Sequence, residues 1–170
     1  MSTMLTYPEE RDRRVAPGAA PMVEMIELLF FAYRDFVGDA DRLLERYKFG
    51  RAHHRVLHFV NRRPGIAIAE LLDVLRITKQ SLNRVLKELL DKGFVEAHAG
   101  VADRRQRLLF CTDRGAALAR ELTELQARRF ERAFAEGPDA TAPCARAFLL
   151  AMIDARERPK VEQWIRRPAP

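Results

Sequence analysis

The chain has 170 residues, enough for one domain plus an appendage. With 48% hydrophobic residues it can fill a core, and with 32% charged residues it is expected to stay in solution. Its net charge of +6 and isoelectric point near 9.8 lean toward a polyanionic partner. No apolar run approaches the roughly 20 residues that span a membrane. The first residues lack the pattern of a signal peptide, so the expected compartment is the cytoplasm. Catalytic classes find little support. There is no glycine-rich phosphate loop, no GxSxG-type nucleophile turn and no internal repeat, and the paired carboxylates Glu9 and Glu10 lie in a tail without a pocket to tune them. The expectation is a protein that is not an enzyme and holds no cofactor or metal. Cys111 and Cys144 show neither metal-type spacing nor a paired framework; inert reduced thiols and a redox switch are the two readings they leave.

Residues 1–21 mix charge, proline and glycine with little periodicity. Arg11-Asp12-Arg13-Arg14 reads as a solvated tail, with a DNA-contacting arm as the alternative. From Met22 the character changes. Met22, Val23, Met25, Ile26, Leu28, Leu29, Phe30, Phe31, Tyr33, Phe36 and Val37 are too many for one narrow stripe, and Leu43, Leu44 and Tyr47 continue the pattern. One long helix over Met22–Tyr47 is predicted, with Gly38 as a weak point. A helix apolar on most sides must bury more than one face: its own domain covers one, a partner subunit the other. Residues 22–49 are therefore read as a dimerisation helix, against the alternative of a central helix in a monomer.

Gly50–Asn61 predicts a second helix with Val56, Leu57, Phe59 and Val60 inward, broken by Pro64-Gly65. Between Gly50 and Arg63 stand four arginines and no acid. His54 and His58 form an i,i+4 pair that has the spacing for a shared metal, but no acidic or thiol partner lies nearby, and surface or pocket histidines fit better. Ile66–Leu75 predicts a short helix, and Arg76-Ile77 a tight connection to the next. In that next helix Leu82, Val85, Leu86, Leu89 and Leu90 make one apolar stripe, while Lys79, Gln80, Asn83, Arg84 and Lys87 fall on the other side. Thr78 suits its start and Gly93 its end. Helix, short turn, helix is the helix-turn-helix pattern. The outward face carries the cationic, amide and hydroxyl groups that grip phosphates and read base edges in a major groove.

Phe94–His98 and Arg107–Cys111 then alternate as two strands of a hairpin. The loop between them, Ala99–Gln106, carries Arg104 and Arg105 at its tip. From Thr78 to Arg107 seven Lys or Arg stand against four Asp or Glu, a balance of +3. A helix followed by a basic-tipped hairpin is the layout of a winged helix-turn-helix, spanning residues 50–112. The wing would reach the backbone or the minor groove. Thr112 caps a further predicted helix, Arg114–Ala135, with Leu118, Leu122, Leu125 and Phe130 in its stripe. Gly137-Pro138 stops it, and a last helix is predicted from Pro143 to about Glu157. These C-terminal helices, residues 113–157, link back to the dimerisation region. Residues 158–170 are read as a tail in which Trp164 and Ile165 pack down, while the prolines argue against a long helix.

Pro64-Gly65, Glu70-Leu71-Leu72, Ile77–Leu82, Leu89–Val95, Asp103-Arg104-Arg105 and Leu109–Gly115 together resemble the MarR family of bacterial transcription regulators. The resemblance covers about residues 22–153, and the DRR of the wing followed by a strand and TxxG is its most specific part. It implies a mainly α fold with a small β-hairpin wing, a homodimer made by the first and last helices, and a repressor-type regulator on double-stranded DNA. It also implies release of a near-palindromic operator by an aromatic or phenolic ligand. Thr78, Lys79, Gln80, Ser81, Asn83 and Arg84 match the recognition-helix face, with Lys87 one turn on; Arg104 and Arg105 match the wing tip, and Asp103 the wing aspartate that holds that tip in shape. Tyr33, Tyr47, His54, Arg55 and His58 are the candidate ligand-binding residues, Arg55 pairing with a carboxylate; ordinary packing is the alternative. Two positions depart from the family. Arg76 stands where the turn often holds glycine, and no cysteine precedes Cys111, unlike members that sense through an N-terminal thiol. The competing reading is a winged helix used for protein–protein contact; it would need an apolar or acidic outer face on the recognition helix.

Overall fold

The computed structural model describes residues 20–100, 105–137 and 141–166. The Arg11–Arg14 segment and the wing residues Asp103 and Arg104 lie outside them. The chain divides into two units, residues 1–35 and residues 36–170. Helix α1 (Ala20–Glu45) contributes to both. In the first unit its large apolar side chains are exposed, from Met22 and Val23 through Phe30 and Phe31 to Tyr33. Arg34 lies over the Phe31 ring at 5.0 Å and pairs with Asp35.

The second unit holds the core. The last turns of α1 bury Val37, Ala40, Leu43 and Leu44, and Gly38 does not interrupt the helix. α2 (Arg51–Arg62) starts behind Gly50, whose amide donates to His53 Nδ1 at 3.1 Å. That bond assigns the ring proton to Nε2, which donates to Glu88 at 3.1 Å. α2 buries Val56, Leu57 and Val60, with Phe59 partly covered. α3 (Ile68–Leu75) and α4 (Lys79–Asp91) follow, then strands β2 (Val95–Ala99) and β3 (Arg107–Cys111). α5 (Asp113–Glu136), α6 (Ala142–Met152) and α7 (Arg158–Arg166) complete the described chain.

Two expectations need correction. The segment read as a helix from Ile66 begins as a strand: β1 (Ile66–Ala67) pairs antiparallel with β3, Ile66 opposite Leu109, giving the sheet order β1-β3-β2. Gly65, at φ +82°, turns the backbone and donates its amide to the Leu109 carbonyl at 2.8 Å, so the pairing is set by a strand more than forty residues away. The last predicted helix also stops early, at Met152, and the stretch read as a tail forms α7 instead. Pro159 is tolerated there because the first turn of a helix leaves its N–H groups unpaired anyway. Trp164 packs on the core, edge-on to Phe59 at 5.5 Å.

The hairpin and α5 meet at one close approach. Thr112 donates its amide to Phe94 O and its hydroxyl to Gly93 O at 2.8 Å, and the same hydroxyl accepts from Gly115 N, capping α5. Gly115 lies against the Phe94 backbone, where a Cβ would stand far inside van der Waals contact with the carbonyl oxygen. Leu118 and Leu122 continue the α5 stripe into the core; Leu125 is half-buried and Phe130 exposed. Arg129 on α5 donates twice to Asp39 on α1, which holds that carboxyl below its ordinary range.

A candidate nucleic-acid interface

α4 separates its two faces cleanly. Leu82, Val85, Leu86 and Leu89 are buried, and Leu90 is half-buried. Thr78 caps the helix as its sequence implies: the hydroxyl accepts from Ser81 N at 3.2 Å and donates to Ser81 Oγ at 2.9 Å. Those two hydroxyls therefore serve the helix terminus first. Gly93, at φ +69°, follows the last turn and reverses the chain into β2. The exposed face carries Lys79, Gln80, Asn83 and Arg84. Lys87 is exposed too, but its ammonium is paired with Asp91 one turn on, which raises its pKa. The protein–protein reading needed an apolar or acidic outer face, and Lys79, Gln80, Asn83, Arg84 and Lys87 stand exposed there instead.

The turn that delivers α4 is made by Arg76, which itself adopts the left-handed conformation at φ 51°, ψ 47°. A non-glycine residue in that region costs roughly 1 kcal/mol. Its amide bonds Leu72 O at 2.9 Å to close α3, and its guanidinium pairs with Glu157 at 2.5 Å, which raises its pKa. Arg76 thus makes a turn suited to glycine and adds a tether.

The hairpin runs in register from Val95 opposite Cys111 to Ala99 opposite Arg107, and Gly100 N donates to Gln106 O at 2.9 Å to begin the wing loop. Arg105, just past the undescribed tip, is exposed. Sequence reasoning left out Arg107. It lines a cleft with Asn83 and Lys87, at the seam between recognition helix and wing. Its place as the first residue of β3, three residues beyond the Arg104 tip, was the available signal.

The four arginines between Gly50 and Arg63 all hold partners on neighbouring elements. Arg51 pairs with Asp41, Arg55 donates to Leu75 O at 3.1 Å, Arg62 to Ile165 O, and Arg63 pairs with Glu70. Their charge ties α2 to α1, α3 and α7. The positive surface that remains on the α4 side is smaller than composition implied.

Most of the candidate ligand residues already have partners of their own. Tyr47 is edge-on to Phe94 at 5.4 Å and stacked on Phe49, and Arg55 caps α3. His54 and His58 lie together on one face of α2, partly buried; burial and neighbouring positive charge, from His58 and Arg62 respectively, lower both pKa values and favour the neutral rings. Tyr33 is exposed in the first unit. Of the two thiols, Cys111 is pushed up to about 12 by burial, with its Sγ 3.9 Å from Leu57 O, so its thiolate is scarce and the redox reading loses that candidate. Cys144 is exposed near the start of α6.

Known proteins with the same arrangement place it. Residues 47–106 match the model of the MarR family. HTH-type transcriptional regulator PetP of Rhodobacter capsulatus is 51% identical over 134 residues, covering 78% of this chain and 80% of the relative. Among solved structures, an E. coli MarR mutant in complex with operator DNA superposes with a TM-score of 0.56 at 21% identity, over 80% of this chain and 97% of that one. A Mycobacterium tuberculosis MarR family protein in complex with p-aminosalicylic acid gives 0.50 at 27% identity, over 72% and 90%. With half of the 134 aligned residues shared with PetP, and a winged helix-turn-helix fold to match, the chain belongs to the MarR family of transcriptional regulators.

Proposed function

We propose that the protein is a cytoplasmic regulator that binds double-stranded DNA as a homodimer and controls transcription by occupying a promoter. One observation carries this reading: α4 buries its apolar stripe in its own domain and leaves Lys79, Gln80, Asn83 and Arg84 exposed. Lys79 and Arg84 grip phosphates, joined by Lys87, Arg104, Arg105 and Arg107; Gln80 and Asn83 reach base edges, with Thr78 and Ser81 at the helix start. Asp103 shapes the wing tip. Two recognition helices would enter successive major grooves about 34 Å apart, so the operator is pseudo-palindromic. The structural likeness to a MarR bound to operator DNA supports the reading. The exposed apolar face of α1 supports the homodimer, since a patch of that kind needs a second body.

A small aromatic ligand releasing the DNA fits the likeness to the p-aminosalicylic acid complex. The surface of α2 is its site in this reading, with His54 and His58 as polar wall and Tyr47 as ring partner; Arg55 would have to leave Leu75 O to pair with a carboxylate. Footprinting on the protein's own upstream region tests the central claim. The expected result is a protected, near-palindromic site whose affinity falls steeply with salt. No protection in dilute salt overturns it.

A further inference from the structure

A cleft between α7 and the α2–α3 pair contains none of the residues assigned above to DNA or to the aromatic ligand. It encloses about 430 Å³, within the range of small-molecule sites. Phe59, Val74 and Trp164 supply apolar and aromatic surface. Around them stand three cations and four carboxylates, and each cation already has its own acid. Arg63 pairs with Glu70, Lys160 with Asp73, and Arg76 with Glu157. Asp154 is left with no ion-pair partner within 4 Å among the described residues. The indole of Trp164 has a flat cation over it already, the Arg63 guanidinium at 3.3 Å from the ring centroid. An anion entering this cleft would meet cations that are already neutralised and one surplus negative charge. A flat cation would meet an aromatic wall and, in Asp154, a carboxylate that acts on Arg76 only from beyond ion-pair distance.

We propose that the cleft binds a small planar aromatic cation, of the arylamidinium or protonated heteroaromatic amine type, with its ring against the Phe59–Trp164 wall and its charge toward Asp154. This ligand differs in charge and in place from the aromatic acid discussed above. The cleft wall includes Arg76, whose left-handed backbone leads into α4, so occupancy is positioned to act on the recognition helix. That consequence rests on the operator-binding reading; the binding itself does not.

Trp164 is the chain's one tryptophan, so its emission reports on this cleft alone. The full chain, free of DNA, is titrated with benzamidine, benzamide and benzoate, which share a shape and differ in charge. The expected result is a saturable change with benzamidine, a weaker one with benzamide and none with benzoate. Asp154→Asn should weaken benzamidine about five-fold and leave benzamide unchanged. Val74→Phe, at a half-buried position outside the core cluster, should fill the cleft and abolish the saturable change. A merely linear response to benzamidine, benzoate binding as tightly as benzamidine, or saturable binding that survives Val74→Phe overturns the proposal. Each readout is independent of whether the protein binds an operator.

Discussion

α4 and the first half of α1 are both rich in large apolar side chains and meet opposite fates. In α4 they fall at Leu82, Val85, Leu86, Leu89 and Leu90, which share one face, and the same chain buries or half-buries all of them. In α1 four stand in a row, Leu28-Leu29-Phe30-Phe31, and because a turn takes about 3.6 residues they point to all sides; they stay exposed, Phe30 by 67%. A narrow stripe can be satisfied by one neighbouring layer. A helix that is apolar nearly all round cannot, and leaves surface for a second body. α6 repeats the second case with Phe148, Leu149 and Met152. The difference separates residues that hold the fold from residues that their own chain leaves uncovered.

The comparison can be broken most severely from the buried side. Leu82→Ala removes a fully buried side chain beneath the recognition face and should cost about 3 kcal/mol, read as a lower urea midpoint. A loss under half of that would mean the α4 stripe is less tightly packed than described. Gly115→Ala probes the same packing from α5. Alanine normally favours a helix, but here its methyl meets the Phe94 carbonyl, so about 2 kcal/mol of destabilisation is expected in thermal unfolding. An increase in Tm would show that the approach can relax.

From the exposed side, Phe30→Glu should convert a dimer to monomers in sedimentation while the circular dichroism of the winged domain persists. A dimer that survives the change would move the assembly surface off this face. A milder lever is pH. His54 and His58 have lowered pKa values in the folded state, so the unfolded chain binds more protons and stability falls as pH drops below about 6.5, being fully present above it. His54→Gln combined with His58→Gln should flatten that part of the Tm–pH curve; an unchanged slope would assign it to other groups. The smallest stability effects belong to the outward face of α4. Arg84→Ala should stay within about 0.5 kcal/mol of the parent in unfolding, yet reduce the salt slope of DNA binding by about one unit. Arg105→Ala is expected to behave alike, and an unchanged slope would remove either residue from the phosphate contacts.

The positions of α2, α4, α5 and both hairpin strands were readable to within two residues, as was the partition of α4 into buried and outward faces. The Thr78 and Thr112 caps were readable as well. The site was readable as a face, but not as a set of free groups. Thr78, Ser81 and Lys87 already have partners within α4 and its cap, and the clustered arginines of α2 serve the packing of neighbouring helices.

What the order of residues determined alone were the quantities set by near neighbours: the 3.6-residue and two-residue periods, the caps, the breaks at Pro64-Gly65 and Gly137, and the net positive charge. Partners distant in the chain decided the rest. β1 exists because Leu109 accepts from Gly65, α7 because Trp164 finds Phe59 and Arg63, and the turn at Arg76 is tethered by Glu157. A local pattern carries no information about which remote group will meet it, and for those elements the remote group supplies the binding energy.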